Sequence, residues 1–157
     1  MSKEGTIYRI SGPVVTAIGM NASMFDIVRV GDEGLMGEVI ELHGEKAIIQ
    51  VYEDTSGIRP GEPVTNTGDT LSVSLGPGLL TEIYDGIQRP LATLEEIMGV
   101  FITRGVDADG INMEKIWTFE ATASEGDRVE SGQVIGSVQE TDTIAHKIMV
   151  PPGKGGV

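Results

Sequence analysis

Through its first half the chain alternates apolar and polar positions in short runs, each closed by turn-forming residues. Gly5 to Ile10 reads as a first strand, Ser11-Gly12-Pro13 breaks it, and Val14-Val15-Thr16-Ala17 resumes extended structure. Gly19 to Phe25 shows no period. Asp26 to Val30 is a β-branched run closed by Gly31-Asp32-Glu33-Gly34. Leu35–Leu42 and Lys46–Tyr52 flank His43-Gly44-Glu45, a strong hairpin signal. Arg59-Pro60-Gly61-Glu62 is a turn, and beyond it Leu71, Val73 and Leu75 alternate with Thr70, Ser72 and Ser74, the pattern of a half-buried strand. About six short strands would leave exposed edges unless the sheet closes on itself. The pattern therefore predicts a small closed antiparallel barrel over residues 1–75. Its expected core includes Val39 or Ile40, Ile49, Val51, Leu71 and Val73.

At Gly76 the rhythm changes. Leu80, Ile83, Tyr84 and Ile87 fall at i, i+3, i+4 and i+7, which predicts a helix between Gly76-Pro77-Gly78 and Pro90. Thr93 and Glu96 fit a capping box, with Leu94, Ile97 and Met98 as one apolar face and Gly99 as the stop. Phe101 to Gly110 reads as a linker or ragged strand. Residues 76–110 are thus a helical connector. From Ile111 the strand pattern returns: Trp117, Phe119 and Ala121 alternate with Ile116, Thr118 and Glu120, Val134–Val138 is a strand, and Ile144, Ile148 and Val150 share a face. Residues 111–157 make a second strand-rich unit, whose order EGDRV, SGQVIGSV, a strand and then PxxGxV resembles the lipoyl and biotinyl type of barrel-sandwich. So few residues are near the lower limit for a self-sufficient core. An unpaired edge after Val150, or one completed by another chain, is expected.

Composition narrows the class. With 22 Gly, 7 Pro and 4% aromatic residues, elements should be short and the core aliphatic, which favours a mainly β protein. The formal net charge of −13 argues against nucleic acid and against an anionic membrane surface, both of which need a basic face. There is no cysteine, so neither disulfides nor thiolate chemistry arise. No apolar run approaches the roughly 20 residues of a membrane span, and MSKEGTIYRI lacks the apolar core of a signal peptide. A cytoplasmic setting without direct membrane insertion is expected, in which Asn21-Ala22-Ser23 is no glycosylation site.

Candidate chemistry is sparse. A P-loop needs G-x-x-x-x-G-K-[ST], whose backbone N–H groups cradle phosphates. Gly153-Lys154-Gly155-Gly156 lacks both the upstream Gly and the hydroxyl residue. Gly76-Pro77-Gly78 opens like a dinucleotide fingerprint but has Thr81 where the third Gly belongs. His43 and His146 are far apart, and Asp107-Ala108-Asp109 has Gly110 too early for a calcium loop. The neighbouring acids Glu53-Asp54 and Glu95-Glu96 point apart on either a strand or a helix. A biotinyl or lipoyl carrier would present a Lys at the hairpin tip Glu140-Thr141-Asp142-Thr143, where there is none, and Lys147 lies in the following strand. No catalytic, cofactor-binding or metal residue is singled out.

The literal strings say more. GPGLLTEIYDGIQRPL (Gly76–Leu91) resembles the motif that joins the N-terminal barrel to the next domain in the catalytic A subunit of archaeal A-type and vacuolar V-type rotary ATP synthases/ATPases. GTIYRISGPVV, MFDIVRVG, LMGEVIEL, IQVYEDTSGIRPGEPV, FITRGV and HKIMVPP resemble segments of the same protein family, in the same order. The resemblance implies a barrel in the crown of an A3B3 ring beside B subunits, and a bulge domain, here truncated, associated with the peripheral stalk. It implies ATP turnover coupled to proton or sodium movement in a membrane-bound complex. Mg-ATP or ADP and the central stalk are expected to engage a nucleotide-binding domain that in the family follows the bulge. A stand-alone acidic β-barrel binding module is the alternative reading.

Overall fold

The computed structural model describes residues 3–99, 101 and 103–157. The chain divides into two compact units. One comprises Met1–Val73 with Glu95–Asp107, the other Ser74–Leu94 with Ala108–Val157.

The first unit is a closed barrel. Its strands are β1 (Glu4–Ser11), β2 (Val14–Ile18), β3 (Asp26–Val30), β4 (Leu35–His43), β5 (Lys46–Val51) and β6 (Pro63–Thr70), in the spatial order β1-β2-β5-β4-β3-β6. Every pairing is antiparallel, and β6 closes the ring against β1 with Glu4 opposite Thr65. The expected hairpin forms, with Val39 opposite Ile49 and His43 opposite Lys46. Register shifts at Tyr8 in β1, at Ile40 in β4 and between Asn66 and Thr70 in β6 bend the strands, and such bulges let a short sheet curl shut. One face of each strand fills the interior. Val15, Val28, Val30, Leu35, Val39, Ile49 and Val64 are fully buried, and Val51, Ile7 and Ala47 nearly so.

The expectation of Val39 or Ile40 in the core is met by Val39, whereas that of Leu71 and Val73 fails. Ile40 is the bulged residue and points out, so Val39 is the core member. Leu71 and Val73 are exposed at 46% and 61%, and residues 71–75 form no strand. The sixth strand lies upstream, at Pro63–Thr70, where Val64 and Asn66 point inward. The sequence hid it because an inward position holds a polar residue. Asn66 donates through Nδ2 to Asp26 Oδ2 at 2.7 Å and to the Asn21 carbonyl at 2.9 Å, and its Oδ1 accepts from Gly68 N at 2.8 Å. A satisfied amide can occupy a core position that alternation reserves for an apolar side chain.

The helix α1 (Leu91–Met98) is displaced from its expected place. Residues 76–90 contain no helix, so the pattern of Leu80, Ile83, Tyr84 and Ile87 misleads, and Leu80 and Ile83 are exposed. Pro90 precedes the helix rather than ending one, since its carbonyl accepts from Leu94 N at 3.0 Å. Pro's fixed φ suits a helix start, where its missing N–H costs nothing. Thr93 therefore sits within the helix and forms no capping box. Gly99 does end it, donating to the Glu95 carbonyl at 2.7 Å. Of the expected apolar face, Leu94 is buried while Ile97 is 58% exposed.

The second unit holds an open sheet of three strands, β7 (Phe119–Ala121), β8 (Val134–Thr141) and β9 (Ile144–Met149), in that order. Val138 and Val150 are buried, whereas Ile144 is 42% exposed and Ile116 95%. An isolated bridge between Val129 and Gly156 adds one more tie. Among the described residues β9 pairs only with β8, while beyond Val150 the chain turns back to Val129 through Gly156, so the open edge lies along β9 and not after Val150 as expected.

Candidate functional site

In the second unit, the segment that carries the most diagnostic string is a loop built on two carboxylates. Asp85 Oδ1 accepts from Ile87 N at 3.0 Å and from Arg89 N at 2.9 Å, while Oδ2 receives Arg89 Nε at 2.8 Å. The backbone doubles back, with Leu91 N donating to the Ile83 carbonyl at 2.9 Å and Tyr84 bridged to Pro90. An Asp that captures nearby N–H groups offers the chain an alternative to helix, which is why the 3.6-residue spacing is not realised here. Gln88 brackets the backbone of Ser74, with Ser74 N donating to Oε1 and the Ser74 carbonyl accepting from Nε2, both at 2.7 Å. Upstream, Gly78 N and Leu80 N donate to Glu140 Oε1 at 2.6 and 3.2 Å. Burial pushes the Glu140 carboxyl up. The N–H groups of Leu80 and Gly78, together with His146, more than offset this and hold it below the usual carboxylate range.

The first unit has a matching polar clasp. Arg104, from the FITRGV string, forks onto the Glu33 carboxylate at 2.6 and 2.8 Å and donates to the carbonyls of Asp54 and Ser56. Gly105 N donates to Glu53 Oε2 at 2.7 Å, and Arg29 meets Asp107 at 2.6 Å. The stretch expected to be a linker is thus pinned to the barrel from Arg104 to Asp107; Ile102 lies outside the described residues. The neighbouring acids Glu53 and Asp54 serve this clasp and its loop. The Ser56 hydroxyl and N–H hold the Asp54 carboxyl low. On the barrel wall, burial and a 2.9 Å hydrogen bond to Glu38 push the Tyr52 hydroxyl up to about 12.

Other residues considered for chemistry fall in ordinary places. His43 pairs with Glu41 at the exposed β4–β5 turn, and His146 belongs to the other unit. Asp107 is spent on Arg29, and among the described residues no group of three or more His, Cys, Asp or Glu could hold a metal. Gly153 to Gly156 turns back on Val129 and lines one wall of an open groove of about 430 Å³ whose other wall is Arg128–Ser131. Apart from half-buried Val129 its lining is exposed, so it is a surface depression.

The barrel and the sheet each match a known domain. Residues 7–68 match the model of the ATP synthase alpha/beta family, beta-barrel domain, and residues 108–157 that of the ATP synthase alpha/beta subunit barrel-sandwich domain. The chain belongs to the ATP synthase alpha/beta family. Within this family it is 62% identical over 156 residues to the A subunit of the A-type ATP synthase of Methanosarcina barkeri, 60% over 157 residues to that of Methanoregula boonei and 59% over 152 residues to that of Natronomonas pharaonis. These alignments cover 97–99% of the chain but only 26–27% of each relative. The chain spans about a quarter of the length of the curated relatives it matches. Among solved structures it is similar to a chain of the assembled ATPase EscN in complex with its central stalk EscO, from the type III secretion system of enteropathogenic E. coli. That match has a TM-score of 0.51 and 27% identity, and covers 55% of this chain and 21% of the other. Both the likeness to the A-type catalytic subunit and the mainly β architecture expected from the sequence are upheld. No helix among the described residues is long and apolar enough to cross a membrane.

Proposed function

We propose that these residues are the N-terminal scaffold of the catalytic A subunit of an A-type ATP synthase. The observation that carries this is identity near 60% along almost the whole chain to the A subunits of A-type enzymes from several archaea. On this reading the barrel stands in the crown of an A3B3 ring and meets B subunits, while the second unit contacts the peripheral stalk. The parent complex couples ATP synthesis or hydrolysis to proton or sodium transport, sits on the cytoplasmic side of its membrane, and reaches the central stalk through other domains. Mg-ATP and ADP are bound outside the present stretch.

The chemistry of the acids supports a scaffold. Glu33, Glu53, Asp54, Asp26, Asp85 and Glu140 each accept an internal hydrogen bond. Phosphoryl transfer would instead need a phosphate cradle, a Lys and bound Mg²⁺. The barrel also exposes Met24, Phe25, Ile40 and Leu42, with Phe25 N held on the Val39 carbonyl at 2.8 Å beside Ile40. Apolar side chains gathered in this way suit a contact with a neighbouring chain.

The test is association of the 157-residue chain with the matching B subunit by sedimentation, alongside calorimetry with Mg-ATP. Binding to B that is weakened by Phe25→Asp and by Ile40→Asp, with no saturable micromolar nucleotide site, is the expected result. Failure to associate, or a micromolar Mg-ATP site on this chain, would overturn the scaffold reading.

A further inference from the structure

Glu140 sits in β8 where the register with β9 shifts between Gln139 and Thr141. A bulge takes a residue out of the ladder and re-aims its side chain. The Glu140 side chain is 1% exposed and reaches the GPGLL loop, where Oε1 collects the N–H groups of Gly78 and Leu80. Its second oxygen, Oε2, is buried without a hydrogen-bond partner. His146 Nδ1 lies 3.3 Å from it, close enough for an ion pair but not aligned as a hydrogen bond. The titratable groups that interact with this carboxylate are His146 from β9 and Tyr84 from the loop. A charged acceptor makes hydrogen bonds roughly twice as strong as a neutral one. A protonated or absent carboxylate would leave two loop N–H groups without that acceptor.

We propose that Glu140 is a conformational latch: ionised, it holds Gly76–Leu80 in one conformation on the second unit, and with its charge removed it releases the loop while the sheet persists. The latched segment begins two residues after Ser74, where the chain enters this unit. The loop's state is therefore set by a residue more than sixty positions away in sequence. The half-used carboxylate fits a latch better than a static strut. An oxygen kept dry without a hydrogen bond is an energetic cost that opening relieves.

Amide hydrogen exchange on the 157-residue chain reads the latch directly. In Glu140→Ala the amides of Gly78 and Leu80 should exchange on the order of tenfold faster, with the β8–β9 ladder unchanged. Glu140→Gln keeps the side-chain size and an oxygen acceptor, so it folds if Ala does not; a smaller acceleration at the same two amides is expected. In the wild type, protection at these amides should fall on acidification, once pH drops through the Glu140 value below the usual carboxylate range. Unchanged exchange at both amides in both variants would overturn the latch. Equal acceleration throughout β7–β9 would also overturn it, by making Glu140 a general support of the sheet.

Discussion

The two units solve the same problem with different means. In the barrel, each strand turns one face inward and ring closure leaves no edge, so small aliphatic side chains suffice to bury a continuous core. The second unit has an open sheet of three strands and buries little beyond Val138, Val150 and Leu94. Its shape comes instead from turns closed by side chains. Asp85, Gln88 and Glu140 tie the loop before α1, and Asp127 and Gln133 close turns between β7 and β8. Closure lets a short sequence be stable through apolar burial; without it, hydrogen bonds must define the fold, each contributing only about 1 kcal/mol net.

The largest effect should come from opening the barrel core. Leu35 is fully buried, so Leu35→Ala is expected to cost the barrel about 2–5 kcal/mol. Val138→Ala removes fewer atoms from a thinner core that can relax around the loss, and should cost less. The single tryptophan, Trp117, lies in the second unit and serves as its probe. Leu35→Ala should lower the midpoint of barrel unfolding, followed by amide exchange or circular dichroism, and leave the Trp117 transition in place. A common shift of both transitions would show that the units melt as one, and the contrast drawn between them would not hold.

Next in size is the clasp at Gly105. Its φ is +72°, and a Cβ there would run into the Glu33 carbonyl. Gly105→Ala should cost about 1–3 kcal/mol and expose the Gly105 amide that now bonds Glu53. The matching insertion in the second unit is Gly136→Ala, whose Cβ would strike the Phe119 ring and the Glu120 carbonyl. Phe119 is half exposed and β7 has three residues at a sheet edge, so this strand should detach rather than the unit unfold. Exchange at Phe119–Ala121 alone would report it.

A smaller loss, roughly 1–2 kcal/mol, is expected for Asn66→Val, which strands Asp26 without the Asn66 amide inside the barrel. A thermal melt would measure it; an unchanged midpoint would mean that the pair is not structural. This pair also marks where the sequence stopped being legible. Five of the six barrel strands and the β4–β5 hairpin follow from alternation and turn residues, because there local pattern and burial agree. The sixth was misplaced because LSVSL alternates well yet stays exposed, whereas β6 carries its polar Asn66 inward. The loop at 76–90 was misread for a related reason. Its apolar spacing is helical, but what decides its path is capture of backbone N–H groups by Asp85 nearby and by Glu140 in a distant strand. Partners sixty residues apart leave no periodic trace. The family strings identified the chain without this knowledge, since literal similarity does not depend on reading each local conformation correctly.

The smallest effect, and the one that separates the units most cleanly, is acid sensitivity. Burial pushes the Asp85 carboxyl up, but the Arg89 N–H and guanidinium and the Ile87 N–H more than offset it, so its value lies below that of an ordinary aspartate. A group depressed on folding contributes stability above its unfolded value, about 3.9, and loses that contribution as pH falls through the folded one. Asp85 and Glu140 share this direction, and both hold the same loop. In the barrel, β4 and β5 supply Leu35, Val39, Ile49 and Val51 to the core, an apolar burial that protonation does not touch, and the low-held Asp54 carboxyl lies beyond β5. Below about pH 4, the amides of Ile87 and Arg89 should therefore lose protection before those of β4 and β5. Asp85→Asn keeps an oxygen for the two N–H groups but forfeits the charge. It should speed exchange modestly at neutral pH and flatten the acid dependence at Ile87 and Arg89. If loop and barrel amides lost protection at the same pH in the wild type, the second unit's reliance on charged acceptors would be refuted.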